Sequence, residues 1–268
     1  MVRQLESEAG DRTKKDAVLA ASFIHTYHRC GSLRDARRIF DSSATADLKN
    51  QVFSWNMMMH AYNLHHQPRE VKRLYEAMTK GSGPPPNLKS LNNALTACAE
   101  LHNSEGLAWG KEIHNLALKK FGTHNNTTNN TNNNKRLLLG DRVVVLSLIN
   151  MYTKCGSLAD ARRVLEDSTP QVRNDPGVIS DVMRHYNASS PPRHQETLDL
   201  FFDSIQRGIK PNYYSQSNAL AACGGLGSAA ALEKGRQIHT YLVDNKILRS
   251  PQNRETYLLK DELVAMYR

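Results

Sequence analysis

Apolar residues recur along this chain at helical spacing, in runs of about ten to twenty residues separated by turn signals. From Val143 onward, Val144, Leu148, Met151 and Tyr152 form an i, i+4, i+7, i+8 stripe, which predicts an amphipathic helix. Gly156 suits the C-terminal cap of that helix. Ser157 suits the N-cap of a following one, with Asp160 in its first turn. The second helix turns Leu158, Ala161, Val164 and Leu165 inward and leaves Arg162 and Arg163 elsewhere. A hairpin this small cannot cover its own apolar stripe on both sides, so it must stack on neighbours of the same kind.

Such neighbours are present as an internal repeat. Cys30-Gly31-Ser32-Leu33 with Asp35-Ala36-Arg37-Arg38 returns as Cys155-Gly156-Ser157-Leu158 with Asp160-Ala161-Arg162-Arg163, an offset of 155 − 30 = 125 residues. The same offset relates Asn93-Ala94-Leu95 to Asn218-Ala219-Leu220, Cys98 to Cys223, Pro86-Asn87 to Pro211-Asn212, and Gly110 with Ile113-His114 to Gly235 with Ile238-His239. Each long unit holds three predicted helix pairs, so the expected class is all-α.

On these motifs the chain resembles the pentatricopeptide repeats that alternate three repeat lengths, known chiefly from plant organelle proteins. The short form is similar to NMYTKCGSLADARRVLEDS at 150–168 and HTYHRCGSLRDARRIFDS at 25–42. The standard form is similar to VFSWNMMMHAYN at 52–63 followed by REVKRLYEAM at 69–78, and to LDLFFDSIQRGIKPN at 198–212. The long form is similar to NNALTACAEL with GKEIHNLAL, and to SNALAACGGL with GRQIHTYLV. The resemblance implies a right-handed α-solenoid of stacked antiparallel helix pairs. After an N-terminal segment at 1–16, the repeats run 17–51, 52–87, 88–141, 142–175, 176–212 and 213–256, with a truncated one at 257–268. An Asn/Thr-rich tract at about 122–136 is too polar for a core and reads as a disordered insert in the third repeat. The sixth has an expanded loop. Leu258, Leu259, Leu263, Val264 and Met266 await a covering second helix, so the chain is expected to be a fragment. The Trp-Leu-Gly-Tyr set of tetratricopeptide arrays is missing.

Charge adds a partner class. Lys and Arg number 35 against 26 Asp and Glu, a formal net charge of +9, which suits a polyanion. The four cysteines, Cys30, Cys98, Cys155 and Cys223, have no second Cys within zinc-knuckle spacing and fit a reducing compartment. No apolar run of about 18 residues exists, so no membrane span is expected. Residues 1–16 mix Arg and Lys with Glu6, Glu8, Asp11 and Asp16, a poor match to a secretory or transit peptide. By resemblance alone the location is organellar, with the mitochondrion favoured over the plastid.

The resemblance also implies how such a chain would read single-stranded RNA: about one base per repeat, through the fifth residue on the first helix and the last residue of the repeat. Asn56 with Asn87 implies pyrimidine, cytosine first; Asn92 with Asp141 implies uracil; Ser180 with Asn212 implies adenine. An amide offers both donor and acceptor, whereas Asp only accepts. Ser217 occupies the fifth position of the sixth repeat, with Thr256 its nominal partner. Ala21 with Gln51, and Leu146 with Asp175, put an aliphatic residue where a hydrogen bond is needed, and Asp261 lacks a partner. About three repeats are therefore legible, and weak sequence selectivity is expected. Without the resemblance, Asn56, Asn92 and Ser180 read as exposed polar residues. Lys154, Arg37, Arg38, Arg162 and Arg163 could meet phosphates but read more simply as solvated faces.

An enzyme is not expected. His194-Gln195-Glu196 matches half of a zinc deaminase motif, but the only later cysteine is Cys223, so the zinc shell cannot be completed. His194 and Glu196 are expected on the exposed first turn of a second helix. His114 with His239, Cys98 with Cys223 and Cys30 with Cys155 each recur at one repeat position, which favours packing over chemistry. The expected role is an RNA-binding adaptor for editing or processing. Its catalytic domain or partner, possible as a deaminase, lies outside this chain. No cofactor, metal or small-molecule substrate is expected. The alternative from another class is a helical-repeat scaffold for proteins.

Overall fold

The computed structural model describes residues 17–42, 52–120, 138–249 and 254–267. The N-terminal segment at 1–16, Gln51 and the Asn-rich insert at about 122–136 lie outside the described residues. The chain divides into two compact units, 1–123 and 124–268. The first contains α1 (Ala17–Arg29), α2 (Leu33–Ser42), α3 (Val52–Leu64), α4 (Pro68–Thr79), α5 (Leu88–Leu101) and α6 (Ser104–Lys120). The second contains α7 (Arg142–Lys154), α8 (Leu158–Asp167), α9 (Pro170–Arg173), α10 (Pro176–Asn187), α11 (His194–Gln206), α12 (Tyr213–Leu226), α13 (Ala229–Asp244) and α14 (Arg254–Tyr267). Among the described residues there is no strand, and the chain is an all-α stack of helix pairs. The four-residue α9 was not predicted; it opens on Pro170 at the first helical position, with Ser168 and Thr169 between it and α8.

Turn chemistry written in the sequence sets the helix ends. In the two Cys-Gly-Ser-Leu motifs, Gly31 and Gly156 take φ of +78° and +81°, a region that disfavours any side chain. The serine amide then donates five residues back, from Ser32 to Tyr27 O at 2.9 Å and from Ser157 to Tyr152 O at 2.8 Å, closing a Schellman turn. The Ser157 hydroxyl does not cap its helix as expected. It donates to Asp160 Oδ2 at 2.6 Å, and Ser32 does the same to Asp35.

Packing follows one rule in both units. First helices lie on first helices, α1 on α3 and α3 on α5, then α7 on α10, α10 on α12 and α12 on α14. Some second helices also fill the space against the first helix of the following pair, as α2 does on α3, α4 on α5 and α11 on α12, whereas α8 makes no comparable contact with α10. The second unit's core joins Met183, Leu198, Phe201, Leu220, Ile238, Leu242 and Leu259 from five helices. Each fully buried side chain of this size contributes about 1.5–3 kcal/mol relative to exposure. In the first unit Trp55 stacks edge-on against Phe40 with ring centroids 5.3 Å apart. Gly83 is required beside that ring, because a Cβ there would lie 2.7 Å from the indole. Among the described residues no helix is long and apolar enough to cross a membrane.

Candidate nucleic-acid interface

The last residue of four proposed repeats has a structural duty that the sequence reading did not assign. Asn87, Asp141, Asp175 and Asn212 are the N-caps of α5, α7, α10 and α12, and each side chain accepts from backbone N–H groups of the first turn. These orphan donors would otherwise face a helix start without partners. The signal was present, since Asn or Asp immediately before a helical pattern is a start marker.

Each cap asparagine also meets the first helix of its own repeat, Asn87 through its oxygen and Asn212 through its amide nitrogen. Asn56 Nδ2 donates to Asn87 Oδ1 at 3.1 Å. Asn212 Nδ2 donates to Pro176 O at 3.2 Å and approaches Ser180 Oγ at 3.4 Å. Both expected pairs are thus brought together, each between one first helix and the cap of the next. Neither fifth residue is the exposed polar group that its type suggests without the resemblance. Asn56 is 6% and Ser180 5% exposed.

A shared frame sits behind both pairs. Asn93 Nδ2 donates to Asn56 O and Asn63 Nδ2 to Asn93 O, at 3.1 and 3.0 Å. In the second unit Asn218 Nδ2 donates to Ser180 O and Asn187 Nδ2 to Asn218 O, at 3.2 and 2.9 Å. Asparagines therefore clamp consecutive first helices through backbone carbonyls, which fixes the backbone of the fifth residue.

The remaining expected residues are placed differently. Ser217 Oγ donates to Glu262 Oε1 on α14 at 2.6 Å, and burial raises the Glu262 carboxyl against the lowering effect of that hydrogen bond. Its proton is therefore already committed. Asn92 lies in the first unit and its Oδ1 is buried without a partner among the described residues. Asp141 lies in the second unit, where Oδ1 accepts from Val143 and Val144 N at 2.9 and 3.0 Å. Ala21 is buried in α1, Leu146 is half-buried in α7, and Asp261 is exposed on α14.

Large apolar side chains at the second position of several repeats were missed. Phe53, Val143, Tyr214 and Leu258 are 45%, 57%, 62% and 40% exposed. Each stands three residues before the fifth position, hence on the same helix face. At the start of an apolar run they read as core. Only Phe53 stands beside one of the two polar pairs, and its exposed ring there has the form of a stacking face.

The arginines first considered for phosphates are engaged with carboxylates. Arg37 contacts Asp41 and the Tyr62 hydroxyl, and Arg162 contacts Glu166, the latter beside a groove of about 680 Å³ between α8 and α11. His194 is half-buried rather than exposed, with Nδ1 3.1 Å from Asn187 Oδ1 and its ring against Gly225. His239 touches the Tyr267 hydroxyl of the next helix at 3.0 Å, a packing contact between pairs. Cys98 and Cys223 are buried packing groups, whereas Cys30 is exposed. Among the described residues no group of three His, Cys, Asp or Glu is arranged to hold a metal ion.

Comparison with known proteins agrees with this architecture. The family profile described as PPR repeat matches residues 53–81. A chloroplastic pentatricopeptide repeat-containing protein of Arabidopsis thaliana is 30% identical across 93% of this chain, which spans 22% of that relative. A putative mitochondrial one from the same plant is 26% identical across 87% of this chain and 33% of its own length. Among solved structures, that of the maize pentatricopeptide repeat protein PPR10 superposes over 92% of this chain and 32% of the maize chain, with a TM-score of 0.61 at 17% identity, a likeness of fold.

Proposed function

Because the chain belongs to the pentatricopeptide-repeat family, we propose that it binds single-stranded RNA along its rows of first helices and selects bases at a few positions. The observation that carries the reading is the recurrence of a polar pair between one first helix and the next helix cap. Asn56 with Asn87 and Ser180 with Asn212 share one asparagine frame, and exposed Phe53 precedes the first pair by three residues on its own helix face. Aromatic and aliphatic faces beside hydrogen-bonding groups suit an unstacked base, whose ring is covered while its edge is read. The net charge of +9 supplies attraction to a phosphate backbone. In this reading Asn56 with Asn87 takes pyrimidine and Ser180 with Asn212 adenine. Ser217 is a weak reader because Glu262 holds its proton.

The wider role proposed is that of an adaptor that positions an organellar transcript for editing or processing by a catalytic domain or partner. The relatives' chloroplastic and mitochondrial names support an organellar setting. The chain spans less than half of the length of these relatives, and catalysis is assigned to none of its described residues.

Selection from a randomised single-stranded RNA pool at two salt concentrations, with single-stranded DNA as competitor, tests the reading. Enrichment of a short motif with a pyrimidine opposite the repeat at 52–87 is expected. Unselective binding that vanishes with salt leaves only electrostatic attraction, and no binding moves the reading to a protein scaffold.

A further inference from the structure

We propose that Ser90, the third residue of α5, is a positioning residue that fixes which edge Asn56 presents to a base. The inference rests on the RNA reading above and deepens it. Ser90 is fully buried and belongs to the helix start that follows the Asn56 repeat. Its hydroxyl accepts from the Asn87 backbone N–H at 3.3 Å, and its amide N–H donates to Asn87 Oδ1 at 3.0 Å, the two halves of a capping box. The single hydroxyl proton has two acceptors in reach, Asn56 Oδ1 at 2.6 Å and Asn87 Oδ1 at 3.2 Å. The shorter contact takes it.

A closed ring results. Asn56 Oδ1 accepts from Ser90, Asn56 Nδ2 donates to Asn87 Oδ1, and Asn87 Oδ1 is pinned by the Ser90 amide. Turning the Asn56 amide over would set two oxygens face to face at Asn87. The ring therefore fixes an orientation that an isolated amide leaves open. One N–H and one lone-pair direction of Asn56 stay uncommitted, so a ligand meets one donor and one acceptor in a set order.

The second unit supplies an internal contrast. Ser215 is the equivalent serine, and its hydroxyl turns to Asn212 Oδ1 at 3.0 Å, without touching the fifth residue. Ser180 instead donates its own proton to Gly177 O at 2.9 Å. Removing the Ser215 hydroxyl weakens a cap and leaves the contacts of Ser180 in place. Removing the Ser90 hydroxyl weakens a cap and also frees the Asn56 carbonyl.

The test measures Kd for four RNAs that differ only at the base opposite the repeat at 52–87. It uses the whole chain and its Ser90→Ala, Ser215→Ala, Asn56→Ala and Ser90→Ala/Asn56→Ala variants, with the melting temperature of each recorded. Ser90→Ala is expected to reduce discrimination at that base three- to tenfold while the affinity averaged over the four bases stays within about twofold. Ser215→Ala is expected to leave discrimination there unchanged, and Ser90→Ala to add nothing in the Asn56→Ala background. Undiminished discrimination in folded Ser90→Ala, beside its loss in Asn56→Ala, overturns the role of Ser90 and leaves the RNA reading intact. Equal losses in Ser90→Ala and Ser215→Ala reduce Ser90 to a cap and overturn it too. A wild-type chain that binds no RNA overturns both.

Discussion

The pairs Asn56–Asn87 and Ser180–Asn212 rest on the same asparagine frame, yet they are held by different bonds. In the first unit the fifth residue spends both ends of its amide on neighbours, one toward Asn87 and one toward Ser90. In the second unit a shorter side chain donates to its own helix backbone at Gly177 and accepts only the long 3.4 Å approach of Asn212 Nδ2, which also reaches Pro176 O. The backbone frame is thus independent of the side chain it presents. Replacing the fifth residue changes the hydrogen-bonding edge while the clamp through backbone carbonyls persists, a property that a one-base-per-repeat reader needs.

The largest effect that breaks the comparison comes from the core behind one pair. Phe201→Ala, in the fully buried heart of the second unit, is expected to destabilise it by about 3–5 kcal/mol in urea denaturation, and to abolish discrimination opposite Ser180 before that opposite Asn56. Equal loss at both pairs would show that the two units fold as one.

Exchanging the two fifth residues sharpens the comparison. Asn56→Ser with Ser180→Asn is expected to exchange the base preferences of the two repeats, moving about 1–3 kcal/mol of discrimination from one position to the other in Kd measurements on single-base variants. Retention of the original order would mean that the frame, not the fifth residue, selects the base.

Acid acts on both units by a different route. Burial, followed by Arg184, lowers the His185 pKa to about 4, with Asp181 opposing. Because the unfolded side chain titrates near 6.5, the unfolded state takes up the proton first, and stability is lost as pH falls from about 6.5 to about 4. After allowance for its partial exposure, a loss on the order of 1–2 kcal/mol is expected, reduced in His185→Gln. His28 in the first unit is shifted the same way by burial and by His25, His60, His65 and Arg29, so its unit also loses stability below about pH 6.5.

Cap removal is smaller again. Asn87→Ala and Asn212→Ala should each cost about 1 kcal/mol by thermal melting, and each should weaken discrimination in its own repeat alone. Smallest of all, Arg162→Ala should change stability by less than about 0.5 kcal/mol, because its contact with Glu166 lies open to water.

Much of this was legible in the residues. Cys30-Gly31-Ser32 and Cys155-Gly156-Ser157 announced identical turns, and both form with the same backbone bonds. Asn87 and Asn212 stood out by their recurrence, although their capping duty went unread. Other parts had no local sign. Glu262 lies 45 residues beyond the Ser217 it holds, and Ser90 lies 34 beyond Asn56. Phe53 and Tyr214 look like core residues by type and are exposed because, among the described residues, no neighbour covers that face of the first helix.

The sequence by itself determined the helices, their turns and their caps, because each depends on hydrogen bonds closed within a few residues of chain. It also determined that such pairs must stack, since one apolar stripe cannot bury itself. Only the tertiary structure decided which polar atoms meet across repeats. A side chain such as Asn56 can satisfy either end of its amide in many ways, and the choice falls to whichever donor or acceptor the next stacked helix brings within about 3 Å.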